Sequence, residues 1–294
     1  QQYKGHWQKW ILFTSKVGED PYFPTNINVI INFLQWCRET YSWQYSSVNS
    51  AKCCLQAYVT VQGHDLSHFK VLHEYMKGVM REHPSLPRYE NIWDPAIVLQ
   101  YVSRWGLAHE LSLKLLSQKL LILLLLCSGQ RLQTVFQFSL DSLNFTSDGF
   151  CFTVLKVLKR KKIGTLVQFK SYPQDPSLCP QLHLNQYLHV TAPVRQSQQL
   201  FLSVQQPFRP VQQSSLSRWV TQVLSGAGVN IDIFKPHSTR AASSSCAARG
   251  GAHIDTILAA GGWACQTTFT DWYNRPVTRQ SFQSAVLDSL HGNK

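Results

Sequence analysis

Eight consecutive apolar residues, Leu120 to Cys127, run into Ser128-Gly129 and are preceded by Lys114 and Lys119. A helix over 111–128 built on this run places Leu115, Leu116, Leu120, Leu123 and Leu124 on more than one face. A helix apolar nearly all round is stable only when other elements cover it on several sides. It must therefore be the central helix of a layered domain, stopped by Gly129. The run is far shorter than the ~20 apolar residues that span a bilayer, so no membrane association is expected.

The elements predicted around that helix define the fold class. Upstream, helices are expected over 3–13, 27–37 (with Thr25 as N-cap), 47–61 and 67–81, the last ended by His83-Pro84. Residues 85–89 (SLPRY) read as a linker, because proline imposes an extended path. Asp94-Pro95 opens a short helix through Ser103. Two strand-like runs, 149–158 and 163–169, flank Lys159-Arg160-Lys161-Lys162 and read as a hairpin with a basic tip. After proline-punctuated loops (Pro173, Pro176, Pro180, Pro193, Pro207, Pro210), helices resume over 214–227, 236–249, 253–260, 266–273 and 278–291. Helices, one small sheet, then helices make an α+β fold that is mostly α, not a Rossmann alternation. The expected organisation is a helical domain over 1–86 and a second domain over 87–294 that holds a small antiparallel sheet.

Charge separates the two ends of the chain. Residues 1–110 carry 10 basic and 9 acidic side chains; residues 111–294 carry 18 and 7, with no Glu at all. Nearly all of the net charge of +12 thus lies in the later part, which favours a polyanionic partner. Eight cysteines show no C-x-x-C pair and no regular spacing. They indicate a reducing compartment, without a disulfide framework or a zinc site.

Four features of the second part carry chemistry-bearing groups. Arg131 follows Gly129, at the end of the central helix, and its planar fork suits phosphate oxygens. Pro236-His237-Ser238-Thr239-Arg240 puts a histidine and an arginine three apart at a helix start that itself favours anions. Trp263 follows Gly261-Gly262, and Tyr273 lies in Asp271-Trp272-Tyr273-Asn274-Arg275-Pro276. Taken singly, each has a packing explanation: a capped surface helix, a tryptophan filling the core, a half-buried tyrosine.

Taken in order, an arginine, a basic hairpin, His-x-x-Arg, a tryptophan and then a tyrosine resemble the serial signature of the tyrosine recombinase (phage-integrase-like) family, over about 115–276. Tyr89, Asn91-Ile92-Trp93-Asp94, Ser128-Gly-Gln-Arg131 and the segment from Phe269 to Pro276 are similar to the subgroup encoded by DIRS-like and Ngaro-like retrotransposons. The resemblance implies a helical core-binding domain followed by the catalytic domain. Tyr273 would attack a DNA phosphate to give a 3′-phosphotyrosine and a free 5′-hydroxyl, with no metal or other cofactor. Arg131 and Arg240 would hold the non-bridging oxygens, with His237 and Trp263 as further donors. A hairpin lysine would protonate the leaving oxygen. Lys159 fits the spacing to Gly164, Lys161 nearly as well, and Lys156 and Lys162 also lie there. Arg160, Lys161 and Lys162 would contact DNA. The implied partners are double-stranded DNA and further copies of the chain, as a tetramer in the nucleus that exchanges residues 278–291.

Two positions depart from the family pattern. Thr134 stands where relatives carry an acidic residue three after the first arginine, so Arg131 must be oriented by something else. The Trp-to-Tyr interval is ten rather than nine, which puts Trp272 at the usual position; an indole is no nucleophile, so the expectation is Tyr273. The alternatives are a topoisomerase-IB-like relaxing enzyme and a DNA-binding protein with a vestigial pocket.

Overall fold

The computed structural model describes residues 3–84, 86–154 and 164–277. The chain divides into two compact units, Gln1–Leu86 and Pro87–Lys294.

The first unit is built from four helices, α1 (Lys4–Val17), α2 (Ile27–Tyr41), α3 (Tyr45–Gln56) and α4 (Lys70–Glu82), with a small hairpin of β1 (Thr60–Val61) and β2 (His64–Asp65) between the last two. Its core is aromatic. Trp10, Phe13 and Phe33 bury their rings against one another, with Trp10 and Phe33 edge to face at 5.0 Å. Helix α2 is capped by Asn26, whose side chain accepts the Asn28 N–H, and not by Thr25. The Thr25 hydroxyl is already engaged by Glu19 at 2.7 Å. Helix α3 stops at Gln56, short of the expected Val61. Gln62 and Gly63 both take positive φ (51° and 78°), which makes a tight hairpin turn and pairs Thr60 with Asp65.

The second unit wraps the leucine-rich helix. After α5 (Pro95–Ser103), capped by the Asp94 carboxylate, comes α6 (Leu113–Ser128), capped by Ser112 and ended by Gly129 in the left-handed region at φ 60°. Leu116 and Leu120 to Leu125 are buried; Leu115, in the first turn, is exposed. Burial extends even to the polar residues of α6. Lys119 donates to the Gly106 carbonyl at 2.8 Å, and burial pushes its pKa down to about 8. Gln118 pairs with Gln222 at 2.7 Å.

Helix α7 (Leu132–Phe136) follows, then a sheet of three strands, β3 (Leu143–Thr146), β4 (Gly149–Val154) and β5 (Thr165–Lys170), in that order and antiparallel. The expected hairpin is thus β4–β5, in register Phe150 to Phe169, with β3 as an added edge. Its basic tip, with Lys156, Lys159, Arg160, Lys161 and Lys162, lies outside the described residues. Stacked Phe138 and Phe152, 4.3 Å apart, pack the sheet on the core.

Helix α8 (Pro180–Thr191) lies where loops were expected. Pro180 occupies its first position, where the fixed φ suits a helix and the missing N–H costs nothing. His183, Leu184, Tyr187 and Thr191 form its buried stripe. Then come α9 (Gln213–Gly226), α10 (Ser238–Arg249), α11 (Ile254–Gly261) and α12 (Gln266–Trp272), while the helix expected over 278–291 lies outside the described residues. Central α6 is packed by α8, α9, α10 and β5, as its all-round hydrophobicity requires. Among the described residues, no helix is long and apolar enough to cross a membrane.

Candidate active site

Three chain turns converge on the start of α10. The first is the α6–α7 turn, where Gly129 takes the left-handed conformation and Arg131 caps α7. The second is the end of α11, where Gly262 (φ 69°) redirects the chain into Trp263. The third is the end of α12, with Tyr273 as its C-cap.

Helix α10 begins at Ser238 rather than Pro236, so His237 is its N-cap and Arg240 lies one turn inside. Pro236 sits before the cap and its carbonyl accepts from the Thr239 hydroxyl at 2.8 Å. The approach to His237 is braced by residues 89–93. The Tyr89 ring lies tilted against Phe234 at 5.3 Å, and the Trp93 indole donates to the Ser238 hydroxyl at 2.9 Å.

Arg240 is the hub. It is fully buried, and its Nη1 donates to the carbonyls of Gly129 and Gly261, both at 2.7 Å. These bonds tie the turn that carries Arg131 to the turn that carries Trp263. They also answer what orients the Arg131 turn with Thr134 in place of an acid: backbone carbonyl capture by the second arginine. The guanidinium carbon lies 3.7 Å from the Trp263 ring centroid and 5.1 Å from that of Tyr273. Its Nε and Nη2, and the Trp263 Nε1, are buried without a hydrogen-bond partner. Unpaired buried donors each cost roughly 1–3 kcal/mol. They belong to two stacked side chains, and such unpartnered donors suit an acceptor-rich anion.

Tyr273 completes the cluster. Its hydroxyl lies 3.5 Å from His237 Nε2, and its ring lies 5.0 Å from that of Trp263. Trp272, by contrast, is 42% exposed. The geometry therefore gathers His237, Arg240, Trp263 and Tyr273, with Arg131 close enough for its charge to act on both His237 and Arg240. Lys159 lies outside the described residues.

The charges set protonation states. His237 is exposed as a residue, but partial desolvation of its ring, then the positive charges of Arg240, Arg131 and Arg88, push its pKa down to about 4. At pH 7 the imidazole is neutral and able to accept a proton. Arg240 is lowered to about 10, by burial and then by Arg131, and stays charged. Among the described residues, no group of three or more His, Cys, Asp or Glu is placed to hold a metal ion.

The shift of His237 yields a direct expectation. Its ring resonance should titrate near pH 4 in the free protein, assigned by loss of the signal in His237→Gln. A dianionic phosphate or a DNA duplex should raise that midpoint, because the added negative charge offsets the arginines. Between pH 6.5 and 4 the unfolded chain binds a proton that the folded ring refuses, so this group's contribution to stability falls as pH drops through that window. His183, also held at about 4 but chiefly by burial in α8, should not respond to the anion. A His237 midpoint near 6.5 would show that neither desolvation of the ring nor the arginine charges act on it.

Several of these contacts had no sequence signal of their own. Ser245 was not singled out at all, and Trp93, Gly129 and Gly261 were visible as residues but not as partners of groups 21 to 145 positions away, because no local pattern encodes such pairs. Arg88 was visible only as part of a linker.

The model of the phage integrase family matches residues 107–279, which span every turn of this site. No curated protein matches the sequence. Solved structures share the fold. The XerH site-specific recombinase bound to difH substrate superposes with a TM-score of 0.54 at 14% identity, over 81% of this chain and 64% of that one. A lambda integrase dimer bound to a COC′ core site gives 0.55 at 12%, covering 96% and 73%. A Tn1549 transposon integrase in complex with transposon right end DNA gives 0.55 at 14%, covering 92% and 86%. The chain thus spans slightly less than two thirds of the XerH chain it matches.

Proposed function

Because this chain belongs to the phage integrase family, we propose that it is a DNA strand-transferase that cuts and rejoins duplex DNA through a 3′-phosphotyrosine at Tyr273. The observation that carries this reading is the meeting of Tyr273 with three buried donor nitrogens that have no partner, Arg240 Nε and Nη2 and Trp263 Nε1.

The chemistry follows from the pocket. Arg131 and Arg240 bind the non-bridging oxygens of the scissile phosphate, as the Tyr273 ring turns from the face of Arg240 toward phosphorus. Neutral His237 takes the phenolic proton through Nε2. The phenolate oxygen bonds to phosphorus, and the bond to the 5′-oxygen breaks. Charge that builds on the phosphoryl oxygens is met by donors already fixed in place, which is where such sites gain most of their rate. Lys159 on the β4–β5 connection is assigned the proton for the departing 5′-oxygen. Attack by a 5′-hydroxyl reverses the sequence and reseals either the same strand or a new partner, with the phosphoester energy kept in the tyrosine link.

Around this chemistry we place the first unit, Gln1–Leu86, as the core-binding half and Arg160, Lys161 and Lys162 as DNA contacts. The working assembly is a tetramer on paired duplex sites, with residues 278–291 exchanged between subunits. The neighbours XerH, lambda integrase and the Tn1549 integrase, each solved on DNA, support the DNA partner. The sequence likeness to DIRS-like and Ngaro-like recombinases supports integration of a retrotransposon in the nucleus.

Trapping tests the reading. Duplexes nicked just beyond candidate phosphates lose the short 5′-hydroxyl fragment after attack, so a covalent protein–DNA adduct should accumulate and map to the Tyr273 peptide by mass spectrometry. Salt-sensitive DNA binding without any adduct would instead establish a vestigial binder. Plasmid relaxation without intermolecular products would establish a topoisomerase-like enzyme.

One glycine gives an independent check on the pocket. A Cβ at Gly261 would fall inside the Trp263 ring, so Gly261→Ala must displace the surface on which Arg240 stacks. Cooperative unfolding should persist, at a cost of about 1–3 kcal/mol. Adduct formation should slow roughly 10- to 100-fold, with a change in the near-UV circular dichroism of the tryptophan. An unaltered rate would show that the position of Trp263 is unimportant to the phosphate site.

A further inference from the structure

Helix α10 carries three consecutive serines, Ser243, Ser244 and Ser245, and they do different things. Ser243 and Ser244 turn their hydroxyls back onto their own helix and donate to the Arg240 carbonyl, at 3.3 and 2.7 Å. Ser245 reaches across to the nucleophile segment. Fully buried, it donates to the Tyr273 carbonyl at 2.7 Å and accepts the Arg275 N–H at 2.9 Å. One hydroxyl thereby satisfies the backbone on both sides of Asn274, and its rotor is fixed by having a donor and an acceptor to serve.

This clip holds the chain where the helix can no longer do so. Helix α12 has only seven residues and ends at Trp272, and its last turn bonds come from the Tyr273 and Asn274 N–H groups, both to the Phe269 carbonyl at 2.9 Å. So short a helix frays readily without tertiary anchorage. The anchors that other elements supply beyond it include Ser245, the Ile92 N–H on the Pro276 carbonyl at 2.9 Å, and Arg249 on the Arg275 carbonyl at 3.3 Å. Ser245 alone among these touches Tyr273 itself, and it stands five residues after Arg240 on the same helix. Tyrosine backbone, His237 and Arg240 are therefore referenced to one rigid element, while the tyrosine side-chain torsions stay free to swing its oxygen to phosphorus.

We propose that Ser245 is the positioning residue for the nucleophile: its two hydrogen bonds set the Tyr273 backbone at a fixed distance from the phosphate donors of α10. The proposal rests on Tyr273 being the nucleophile, and it concerns attack alone, not phosphate binding. A displacement on the order of 1 Å at the attacking atom costs about 100-fold in rate, so Ser245→Ala should slow adduct formation by about 10- to 100-fold at saturating DNA, with duplex affinity within about two-fold of the unaltered chain.

A second nucleophile separates positioning from general damage. In a Tyr273→Phe background, added hydrogen peroxide supplies hydroperoxide to attack the clamped phosphate. A P–O bond to hydroperoxide forms, the bond to the 5′-oxygen breaks, and strand scission is read on a gel. That reaction uses Arg131, Arg240 and His237 but not the tyrosine backbone. Ser245→Ala in the Tyr273→Phe chain should cleave with peroxide at the same rate as Tyr273→Phe alone. Loss of both reactions, by misfolding or otherwise, overturns the proposal in favour of a purely structural role. Tyrosine-dependent cleavage at the unaltered rate in Ser245→Ala overturns it as well. Failure of the unaltered chain itself to form an adduct removes the functional reading, a result distinct from either.

Discussion

Tyr273→Phe is expected to abolish the covalent protein–DNA adduct, with a loss on the order of 10⁴-fold or more, while duplex binding and thermal stability stay close to those of the unaltered chain. The substitution is small in packing terms. Phenylalanine keeps the ring that lies 5.1 Å from the Arg240 guanidinium carbon and 5.0 Å from Trp263. Only the hydroxyl disappears, and its neighbour His237 Nε2 at 3.5 Å lies on the exposed side where water replaces it. The companion Trp272→Phe should retain the adduct, since that side chain is 42% exposed and a smaller aromatic ring can occupy the same surface. The pair is read on one denaturing gel with a nicked substrate. An adduct that persists in Tyr273→Phe and vanishes in Trp272→Phe would move the nucleophile's role elsewhere and undo the assignment.

The second large effect is at Arg240, and its sign for stability is opposite to its sign for activity. Arg240→Met should lower adduct formation roughly 10³-fold, the scale of removing a preorganised donor from a transition-state clamp. Stability is a balance of comparable quantities. The variant loses charged hydrogen bonds to Gly129 and Gly261 and the stacking on Trp263. It also removes a fully buried cation whose Nε and Nη2 are unpartnered and which repels Arg131. Each such donor costs about 1–3 kcal/mol when buried, and linear methionine fills most of the volume. The expected melting temperature is therefore unchanged or higher, as when a site trades stability for function. Arg240→Lys should be nearly as inactive, because a point charge cannot hold both carbonyls and still present two donors. Calorimetry alongside single-turnover trapping checks the pair of signs. A fall in melting temperature that accounts for the lost activity would make Arg240 a structural strut.

How far the sequence reached depends on the range of the forces involved. The central role of α6 was legible because an all-apolar helix admits one environment, and Gly129 as its stop because a left-handed residue there favours glycine. The Asp94 cap and Pro95 start of α5 were legible for the same local reason. Local signals failed where two of them competed. Thr25 and Asn26 are both good caps, and only the fold shows that Glu19 has taken the threonine. The prolines around α8 argued for loops, yet one of them sits at the single helical position that welcomes it. The strand over 143–146 was missed because it is a short edge strand with mostly exposed residues.

At the site, the types and order of the groups were readable: Arg131, His237, Arg240, Trp263 and Tyr273, with nearly all of the net charge in their part of the chain. A one-dimensional order states which chemistry is available. It does not contain the distances on which that chemistry turns. Those came from three turns, two of them glycine-bearing, brought to one helix start, from Arg240 bonding carbonyls 111 and 21 residues away, and from Ser245 gripping a backbone 28 residues on. Caps, turns and periodicity are settled by neighbours within a turn or two of chain, so the sequence alone determines them wherever a single local signal is present. The depth of Arg240, the neutrality of His237 and the anchorage of Tyr273 arise from burial and charge summed over segments far apart in sequence, and only the packed tertiary structure decides them.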